Sequence, residues 1–304
     1  YREVMAKLRN GSLRLLYVAP ERFNNERFRE NLRHLRISLF AVDEAHCISE
    51  WGHNFRPDYL KLANFARQFS AERILALTAT ATPKVLDDIC QVFDIQPECA
   101  VHTGFYRPNL HIRTQVVDNT ERDQALLQAI DQQPPGASIV YVTLQQTAEQ
   151  VANTLSTTGL NARAYHAGMN KEQRHTIQEW FMLGKHDKPP IVVATIAFGM
   201  GVDKANIRAV YHYNLPKSLE NYSQEIGRAG RDGQPAHCHM LVCPDDLTVL
   251  ENFIYGDSPD QSAIDRLLST LFAAEDELEL NLYSLSHNTD IRALVLRTLL
   301  TYPE

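Results

Sequence analysis

Two adjacent carboxylates at the end of an apolar run are the residues of this sequence best suited to do chemistry. Asp43 and Glu44 follow the run 38–42, whose apolar composition predicts a buried strand. Strands of an α/β sheet deliver reactive groups at their carboxyl ends. The first carboxylate could hold a hydrated Mg²⁺ that carries nucleotide phosphates, and the second could orient or deprotonate an attacking water. We therefore predict Asp43 as the Mg²⁺ ligand and Glu44 as the catalytic base.

The segment that follows these carboxylates, residues 47–59, combines aromatic rings with positive charge. Aromatic side chains and a guanidinium on one loop are suited to stacking on unpaired bases and gripping a phosphate. The alternative is an ordinary loop whose aromatics pack on their own domain, as would be expected of isolated aromatics. Because this combination adjoins the carboxylates, we predict that the segment binds nucleic acid. The residues assigned to that contact are Trp51, His53, Phe55 and Arg56, with Tyr59 as a further ring.

Six further runs, together with residues 43–46, resemble the motifs of the RecQ family of DNA helicases. They lie at 16–22, 76–82, 105–110, 165–169, 193–204 and 224–233. The runs follow the family's order over roughly residues 10 to 245, and several motifs in order make a chance match improbable. The resemblance therefore covers most of the chain and is specific.

The resemblance implies an α/β protein with two RecA-like parallel-sheet domains, the first of them incomplete, and a small, mainly helical C-terminal segment. The implied domains are 1–108, 109–245 and 246–304, and the last is acidic and expected to be truncated. The implied function is an ATP-dependent helicase that unwinds DNA with 3′-to-5′ polarity in repair and recombination. ATP and Mg²⁺ are the implied cofactors, and single-stranded DNA or forked or branched duplex is the implied partner.

Two other functions stay open. An RNA helicase of the DEAD/DEAH class would share residues 43–46, but the aromatic segment 47–59 and the run 197–201 disfavour it. A non-catalytic DNA-binding or regulatory module belongs to a different class. It stays open for this chain because the sequence lacks the phosphate-binding pattern G-x-x-x-x-G-K-[ST]. The Gly184-Lys185 pair is followed by His186 and is typical of a helix end.

Because no phosphate-binding pattern precedes Asp43 in this sequence, we expect the chain alone not to hydrolyse ATP, although its complete parent would. Purified residues 1–304 should show no DNA-stimulated ATP hydrolysis above the level of a Glu44→Gln control. Stimulation above that control would contradict this expectation.

In the second domain, the resemblance to motifs V and VI assigns the nucleotide contacts to Gly201, Asp203, Gln224, Arg228 and Arg231. Glycines at a strand-to-turn transition let the backbone approach a phosphate or ribose, and Asp203 could accept from a ribose hydroxyl. Planar guanidinium groups suit the developing charge on a γ-phosphate. Arg228 and Arg231 are predicted to be catalytic, with Arg231 as the arginine finger. The alternative is a helix C-terminus that carries arginines for local reasons.

Five more residues are assigned to coupling and to DNA phosphates. We expect His46, grouped with the catalytic residues, to connect the nucleotide site to the neighbouring loop through a hydrogen bond. Thr78 and Thr80 end another apolar run and can bridge to the carboxylates across adjacent strand ends. Thr143 and Arg22 are assigned to DNA phosphates by their positions in the resembled motifs IV and Ib.

Strand–helix alternation runs from about residue 13 to residue 242 and predicts parallel sheets with helices on both faces. Strands are predicted near 13–18, 38–42, 73–78, 111–117, 137–142, 161–165, 190–194, 208–213 and 236–242. Helices are predicted near 24–35, 58–69, 83–93, 121–132, 145–158, 170–183 and 218–227. Beyond residue 246 the alternation stops, and helical spacing predicts two helices over 260–271 and 290–300, separated by an acidic stretch at 273–277.

Composition and charge favour a soluble, cytoplasmic protein without a membrane partner. A hydrophobic content of 44% is that of a globular protein, and no apolar run approaches the ~20 residues that span a bilayer. The first residues do not resemble a signal peptide. The net charge of −7 is concentrated at the end of the chain: residues 1–108 carry +2, residues 109–245 carry −1 and residues 246–304 carry −8. A near-neutral motor can still hold a strand through a few aligned cations, backbone amides and rings.

The five cysteines are scattered and odd in number, which indicates reduced thiols. Many RecQ-family members carry four cysteines just after the motor, whereas here no cysteine follows Cys243. His237, Cys238 and His239 lie near Cys243, but on a strand Cys238 points away from both histidines, and the spacing fits no common zinc finger. We therefore do not expect zinc to bind.

Overall fold

The computed structural model describes residues 2–49, 56–104, 106–183, 187–199, 202–256, 259, 261–272 and 281–300. The chain divides into two compact units, Tyr1–Thr103 with Asp257–Glu304, and Gly104–Gly256. Both units contain parallel strands connected by helices, so the predicted α/β class is confirmed. Within the described ranges, no helix is both long and apolar enough to cross a membrane.

The first unit contains a parallel pair of strands, β1 (Phe40–Val42) and β2 (Ile74–Ala76). Its helices before residue 104 are α1 (Arg2–Arg9), α2 (Glu26–Arg33), α3 (Pro57–Gln68) and α4 (Pro83–Phe93), with 3₁₀ turns at Pro20–Asn24, Ala45–Ile48 and Pro97–Cys99. The predicted helices α2, α3 and α4 are confirmed. Local signals start them: the Asn25 and Thr82 side chains accept backbone N–H groups, and a proline opens α3.

The two-stranded sheet buries only one of its faces. Phe40 and Val42 point toward a core in which the Phe23 ring centroid lies 5.4 Å from that of Phe65 and 5.7 Å from that of Phe28. On the opposite face, the side chains of Leu39, Leu75 and Leu77 are exposed. The sheet therefore carries an apolar surface that faces solvent.

The predicted strand at 13–18 is wrong. The segment has no regular secondary structure, although the burial of its side chains alternates as in a strand. Leu16 and Val18 pack against the core, whereas Leu15 and Tyr17 point outward and are 65% and 88% exposed. The apolar run supplies side chains to the core, but a strand also needs a hydrogen-bonded neighbour, and among the described residues the sheet of this unit has only the order β1-β2.

The second unit is a six-stranded parallel sheet in the order β3-β8-β7-β4-β6-β5. The strands are β3 (Leu110–Val116), β4 (Ala137–Tyr141), β5 (Asn161–Tyr165), β6 (Pro190–Ala194), β7 (Ile207–His212) and β8 (Ala236–Val242). The helices are α5 (Arg122–Asp131), α6 (Gln145–Thr157), α7 (Lys171–Leu183), α8 (Leu219–Ile226) and α9 (Asp245–Gly256). Each predicted strand and helix of this unit is confirmed, whereas α9 had not been predicted.

Burial on both faces explains why the central strands form continuous apolar runs that could be predicted from the sequence. Every residue of β4 and of β6 is buried, because helices cover the sheet above and below. The two layers of core include Val140 and Val193 on one side and Ile139 and Val192 on the other. The loops that leave β4, β6 and β7 therefore start from a rigid base at one edge of the sheet.

Three helices follow in the C-terminal part of the first unit, namely α10 (Gln261–Phe272), α11 (Leu282–Thr289) and α12 (Ala293–Leu299). They enclose a small core that includes Leu267, Leu285 and Leu296. The mainly helical character predicted for this segment is confirmed, including α10 and α12. The acidic stretch at 273–277 lies outside the described residues.

Two histidines on β8 make the stability of the second unit depend on pH. Burial, and secondarily His111, lowers the pKa of His237, while burial, and secondarily Arg113, lowers the pKa of His239. Below the ordinary pKa of 6.5 and above the lowered values, the unfolded chain therefore binds more protons than the folded chain. The stability contribution of the neutral rings is fully present above this window and is lost as the pH falls through it.

We expect the melting temperature of the second unit to fall between about pH 7.5 and about pH 5.5 for this reason. His239→Gln removes one titrating ring and should weaken the pH dependence, whatever its effect on stability at neutral pH. Thermal unfolding of both proteins at several pH values checks the prediction. An identical pH dependence in the variant would contradict it.

Candidate functional site

The predicted carboxylates lie in a tight turn at the carboxyl end of β1. Glu44 has a left-handed backbone (φ 52°, ψ 41°), which is uncommon for a residue other than glycine, and its N–H donates to Asp43 Oδ1 at 2.9 Å. The strand ladder continues past the sheet, because Leu77 N–H donates to Val42 O and Ala45 N–H donates to Leu77 O, both at 2.8 Å. Backbone hydrogen bonds on both sides thus hold the carboxylates beside the end of β2.

This turn is suited to a hard divalent cation. Both carboxylates are exposed, and only one Asp43 oxygen is engaged by the Glu44 N–H. Carboxylate oxygens of this kind are the ligands that Mg²⁺ prefers, alongside water and phosphate oxygens. Among the described residues no group of three or more His, Cys, Asp or Glu side chains could enclose a metal by itself. The residues present therefore fit an ion that is shared with a phosphate.

His46 links the carboxylate turn to the loop after β2. Its buried ring places Nδ1 2.9 Å from Thr78 Oγ1 and 3.3 Å from Glu44 Oε2. The single Thr78 hydroxyl proton goes to Thr80 O at 3.0 Å, so Thr78 Oγ1 can only accept from the ring. We therefore assign the proton of His46 to Nδ1. The structure brings Glu44, His46, Thr78 and Thr80 together as predicted, while their role in coupling stays a prediction.

The other ring nitrogen of His46 faces a thiol. Cys47 Sγ lies 3.7 Å from His46 Nε2, and burial raises the pKa of Cys47 to about 11. The thiol therefore keeps its proton at neutral pH and can donate it weakly to Nε2. This contact supports the same tautomer as the Thr78 hydrogen bond does.

In the second unit, the predicted motif V and motif VI residues contact one another. Arg231 NH1 donates to Asp203 Oδ1 at 2.8 Å, and both side chains reach solvent. Arg228 NH1 donates to the carbonyl of Gly199. The structure therefore pairs the arginines with the segment that was predicted to approach the nucleotide.

Gly230, between the two arginines, anchors this segment to the start of β3. Its backbone is left-handed (φ 55°), and its carbonyl accepts from Arg107 NH2 and from Asn109 Nδ2, each at 2.8 Å. A Cβ at this position would lie 2.5 Å from Asn109 Nδ2 and 2.8 Å from Gln234 O. Only glycine fits both the backbone conformation and the space.

The remaining predicted residues are spread over both units. Thr143 follows β4, and its N–H donates to Asn214 Oδ1 at 3.2 Å. Arg22 is exposed on a 3₁₀ turn, with its guanidinium 5.7 Å from the centroid of the Phe28 ring. Arg56 is exposed before α3, and Gln224 is half-buried in α8. Gly201, Trp51, His53 and Phe55 lie outside the described residues.

Tyr59 differs from the expectation for the aromatic segment. Its side chain packs in the core of the first unit and is 8% exposed. The residue lies in the first turn of α3, whose inward face carries it into the core. For this ring, packing on its own domain is the correct interpretation, and stacking on a base is wrong.

A buried hydrogen bond and a buried ion pair among the described residues were not predicted from the sequence. His212 Nε2 lies 2.7 Å from Glu225 Oε2, and Arg122 NH1 donates to Asp246 Oδ1 at 2.8 Å. Asp246 also accepts from the side chain of Asn214 and from Leu215 N–H, which holds the loop that contacts Thr143. No local spacing signals these pairs, because the partners come from different elements of the sheet and its helices.

Comparison with known proteins identifies relatives for both units. The model for DEAD/DEAH box helicases matches residues 1–89, and that for the helicase conserved C-terminal domain matches residues 121–233. ATP-dependent DNA helicase RecQ of Bacillus subtilis (strain 168) is 42% identical over 243 residues, 80% of this chain and 40% of the relative. ATP-dependent DNA helicase Q-like 5 of Arabidopsis thaliana is 36% identical over 315 residues, 99% of this chain and 34% of the relative. The chain thus spans about two fifths or less of these two curated relatives.

A solved structure shows the same fold at low identity. Dbp5 of S. cerevisiae, bound to RNA and ADP BeF3, has a TM-score of 0.57 and 16% identity, over 77% of this chain and 62% of that chain. At this identity the likeness shows the fold alone. It agrees with two RecA-like domains.

The hydrogen bonds of His46 predict a stability effect at Thr78. Thr78→Val keeps the shape of the side chain but removes the acceptor for His46 and the donor to Thr80. The net loss of an intramolecular hydrogen bond costs about 0.5–1.5 kcal/mol. We expect urea unfolding of the chain to show a loss of this size.

Thr270→Val is the matched control, because its hydroxyl makes an exposed hydrogen bond within α10. This variant should change the free energy of unfolding by less than about 0.5 kcal/mol. Equal losses in the two variants would contradict the importance of the His46 contacts.

Proposed function

The chain belongs to the RecQ family, and we propose that it is the motor segment of a cytoplasmic, ATP-dependent helicase that unwinds DNA with 3′-to-5′ polarity. The observation that carries the proposal is the exposed pair Asp43 and Glu44 beside His46, whose Nδ1 lies 3.3 Å from Glu44 Oε2 and is hydrogen-bonded to Thr78 in the next loop. Such an arrangement can join a change at the nucleotide phosphates to a movement of the next loop. The curated relatives at 36–42% identity are named as ATP-dependent DNA helicases, which supports the choice of reaction and polymer.

In the proposed reaction, Glu44 orients the attacking water and accepts its proton. Its carboxylate is half-exposed, and Nδ1 of His46 lies 3.3 Å from Oε2, so the ring adjoins this carboxylate while its proton is shared mainly with Thr78. Asp43 keeps an oxygen for Mg²⁺, which would neutralise charge on the phosphate oxygens when bound. Asp43 is therefore proposed as the Mg²⁺ ligand and Glu44 as the base, because Asp43 contacts a backbone N–H whereas Glu44 lies beside the His46 ring.

Arg231 is the proposed arginine finger. Its guanidinium is permanently charged, reaches solvent, and is held by a single exposed carboxylate, that of Asp203. An exposed ion pair is worth little, typically below about 1 kcal/mol. Arg231 can therefore exchange Asp203 for a γ-phosphate at small cost, which leaves Asp203 to accept from a ribose hydroxyl.

DNA binding is proposed for the exposed cations Arg22 and Arg56 and for Thr143, together with Trp51, His53 and Phe55. The basic groups would contact phosphates and the rings would stack on bases, which is worth ~1–3 kcal/mol per base. Single-stranded DNA and forked or branched duplex are the proposed substrates in repair and recombination. An RNA helicase is the second candidate, but the relatives that support it share only the fold.

The test uses the whole protein and a duplex with a 3′ or a 5′ single-stranded tail. We expect ATP hydrolysis that DNA stimulates, and unwinding of the 3′-tailed duplex alone. Glu44→Gln should abolish both. Arg231→Ala should lower turnover by roughly 10³–10⁵ while nucleotide still binds, because an arginine finger acts mainly on the transition state.

Three outcomes would contradict the proposal. Stronger stimulation by RNA than by DNA would favour the second candidate. Loss of nucleotide affinity with normal turnover of bound nucleotide in Arg231→Ala would make Arg231 a binding residue. DNA binding without hydrolysis by the whole protein would indicate a non-catalytic module.

A further inference from the structure

Two consecutive carbonyls in the turn after β6 are each held by a side chain from a different element. The turn, residues 195–199, is called the β6 turn below. Tyr141 of β4 donates its hydroxyl proton to Phe198 O at 3.0 Å, across 57 residues of sequence. Arg228, which follows α8, donates to Gly199 O across 29 residues. The β6 turn is thus held from the sheet and from the motif VI segment at once.

The residues around these two hydrogen bonds are closely packed. A Cβ on Gly199 would lie 2.6 Å from Arg228 NH2 and 3.1 Å from its Cζ, so the guanidinium lies directly against the glycine. The Phe198 ring is buried, with its centroid 4.8 Å from that of Tyr165 and 5.4 Å from that of Phe181. The β6 turn therefore has one conformation that satisfies both its backbone and its ring.

The Tyr141 hydroxyl is a permanent donor. Burial raises the pKa of Tyr141 well above its ordinary value, although the nearby Arg228 lowers it in part. The phenol consequently stays protonated at any physiological pH. The Tyr141 hydroxyl and the Arg228 guanidinium donate to the neighbouring carbonyls of Phe198 and Gly199, so both side chains hold the same turn.

A second contact joins Tyr141 to α8. The Tyr141 ring stacks on His212 with centroids 5.5 Å apart and an interplanar angle of 28°, and His212 is paired with Glu225 of α8. Glu225 precedes Arg228 by three residues and Arg231 by six. Tyr141 is therefore linked to the motif VI segment at two places. One link runs through His212 to Glu225 within α8, and the other runs through the β6 turn to Arg228 after α8.

We propose that Tyr141 is a positioning residue that fixes the β6 turn and Arg228 to each other and thereby sets the orientation of Arg231 and Asp203. The two segments that it clamps meet again at the Arg231–Asp203 pair, which lies a few residues further along each of them. Nothing in the sequence motifs assigns a role to this tyrosine. The inference concerns the same reaction and rests on the proposed function of Arg231.

The direct test is Tyr141→Phe, which keeps the ring and removes only the hydroxyl. Tyr211→Phe is the matched control, because Tyr211 is equally buried and belongs to the core on the other face of the sheet, where its hydroxyl lies 3.5 Å from Ala129 O. Two backbone amides report on the β6 turn, since Phe198 N–H donates to Thr195 O and Val202 N–H donates to Gly199 O.

In Tyr141→Phe we expect the amide hydrogens of Phe198 and Val202 to exchange about five- to tenfold faster. This factor corresponds to the loss of one hydrogen bond from the free energy of local opening. In the whole protein, the maximal rate of ATP hydrolysis should fall by a similar factor with little change in KM, because Arg231 acts on the transition state. The double variant Arg228→Lys, Tyr141→Phe should lose less transition-state stabilisation, measured from the maximal rate of ATP hydrolysis, than the sum of the losses in the two single variants.

Amide exchange and kinetics separate this inference from the proposed function. If the whole protein hydrolysed no ATP, the proposed function would fail. Amide hydrogen exchange at Phe198 and Val202 would then decide by itself whether Tyr141 holds the β6 turn. Wild-type exchange in Tyr141→Phe would overturn the inference. Equal effects of Tyr141→Phe and Tyr211→Phe, or additive losses in the double variant, would also overturn it.

Discussion

All strands of a parallel sheet end at the same edge, and the polar groups of both units depend on that constraint. In the first unit it places the carboxylate turn after β1 beside the Thr78 loop after β2, within reach of one imidazole. In the second unit it places Thr143, the β6 turn and Asn214 after three adjacent strands. Side chains from distant parts of the sequence can then contact one another without any long loop.

The strands that create this edge are stabilised by burial, and the loops by polar contacts. Burying a side chain such as Val140 or Val193 contributes roughly 1.5–3 kcal/mol, which makes β4 and β6 a firm support. The Arg122–Asp246 pair between α5 and α9 is buried as well. Removing one partner of such a pair typically costs about 3–5 kcal/mol, because the other charge stays buried without compensation. Rigid strands and satisfied polar loops thus hold Thr143 and Asn214 in place together.

The sequence predicts most of the second unit because its central strands β4 and β6 are short apolar runs between clear turns. The run 13–18 shows the limit of this reasoning, since alternation reveals which side chains point inward but not whether a neighbouring strand exists. For the site, the carboxylates and the threonines could be predicted from their places at strand ends. Tyr141 and the His212–Glu225 hydrogen bond could not, because a buried aromatic ring or polar pair has the same local sequence pattern whether it stabilises the core or positions a loop.

The exposed face of the small sheet bears on how this polypeptide behaves in solution. Leu39, Leu75 and Leu77 form an apolar surface on β1 and β2 that meets water, and both strands have an outer edge without a partner in the described sheet. Contiguous apolar surface and open strand edges promote contact between copies. The strand that delivers Asp43 and Glu44 thus also borders an apolar surface at which two copies of the chain could associate.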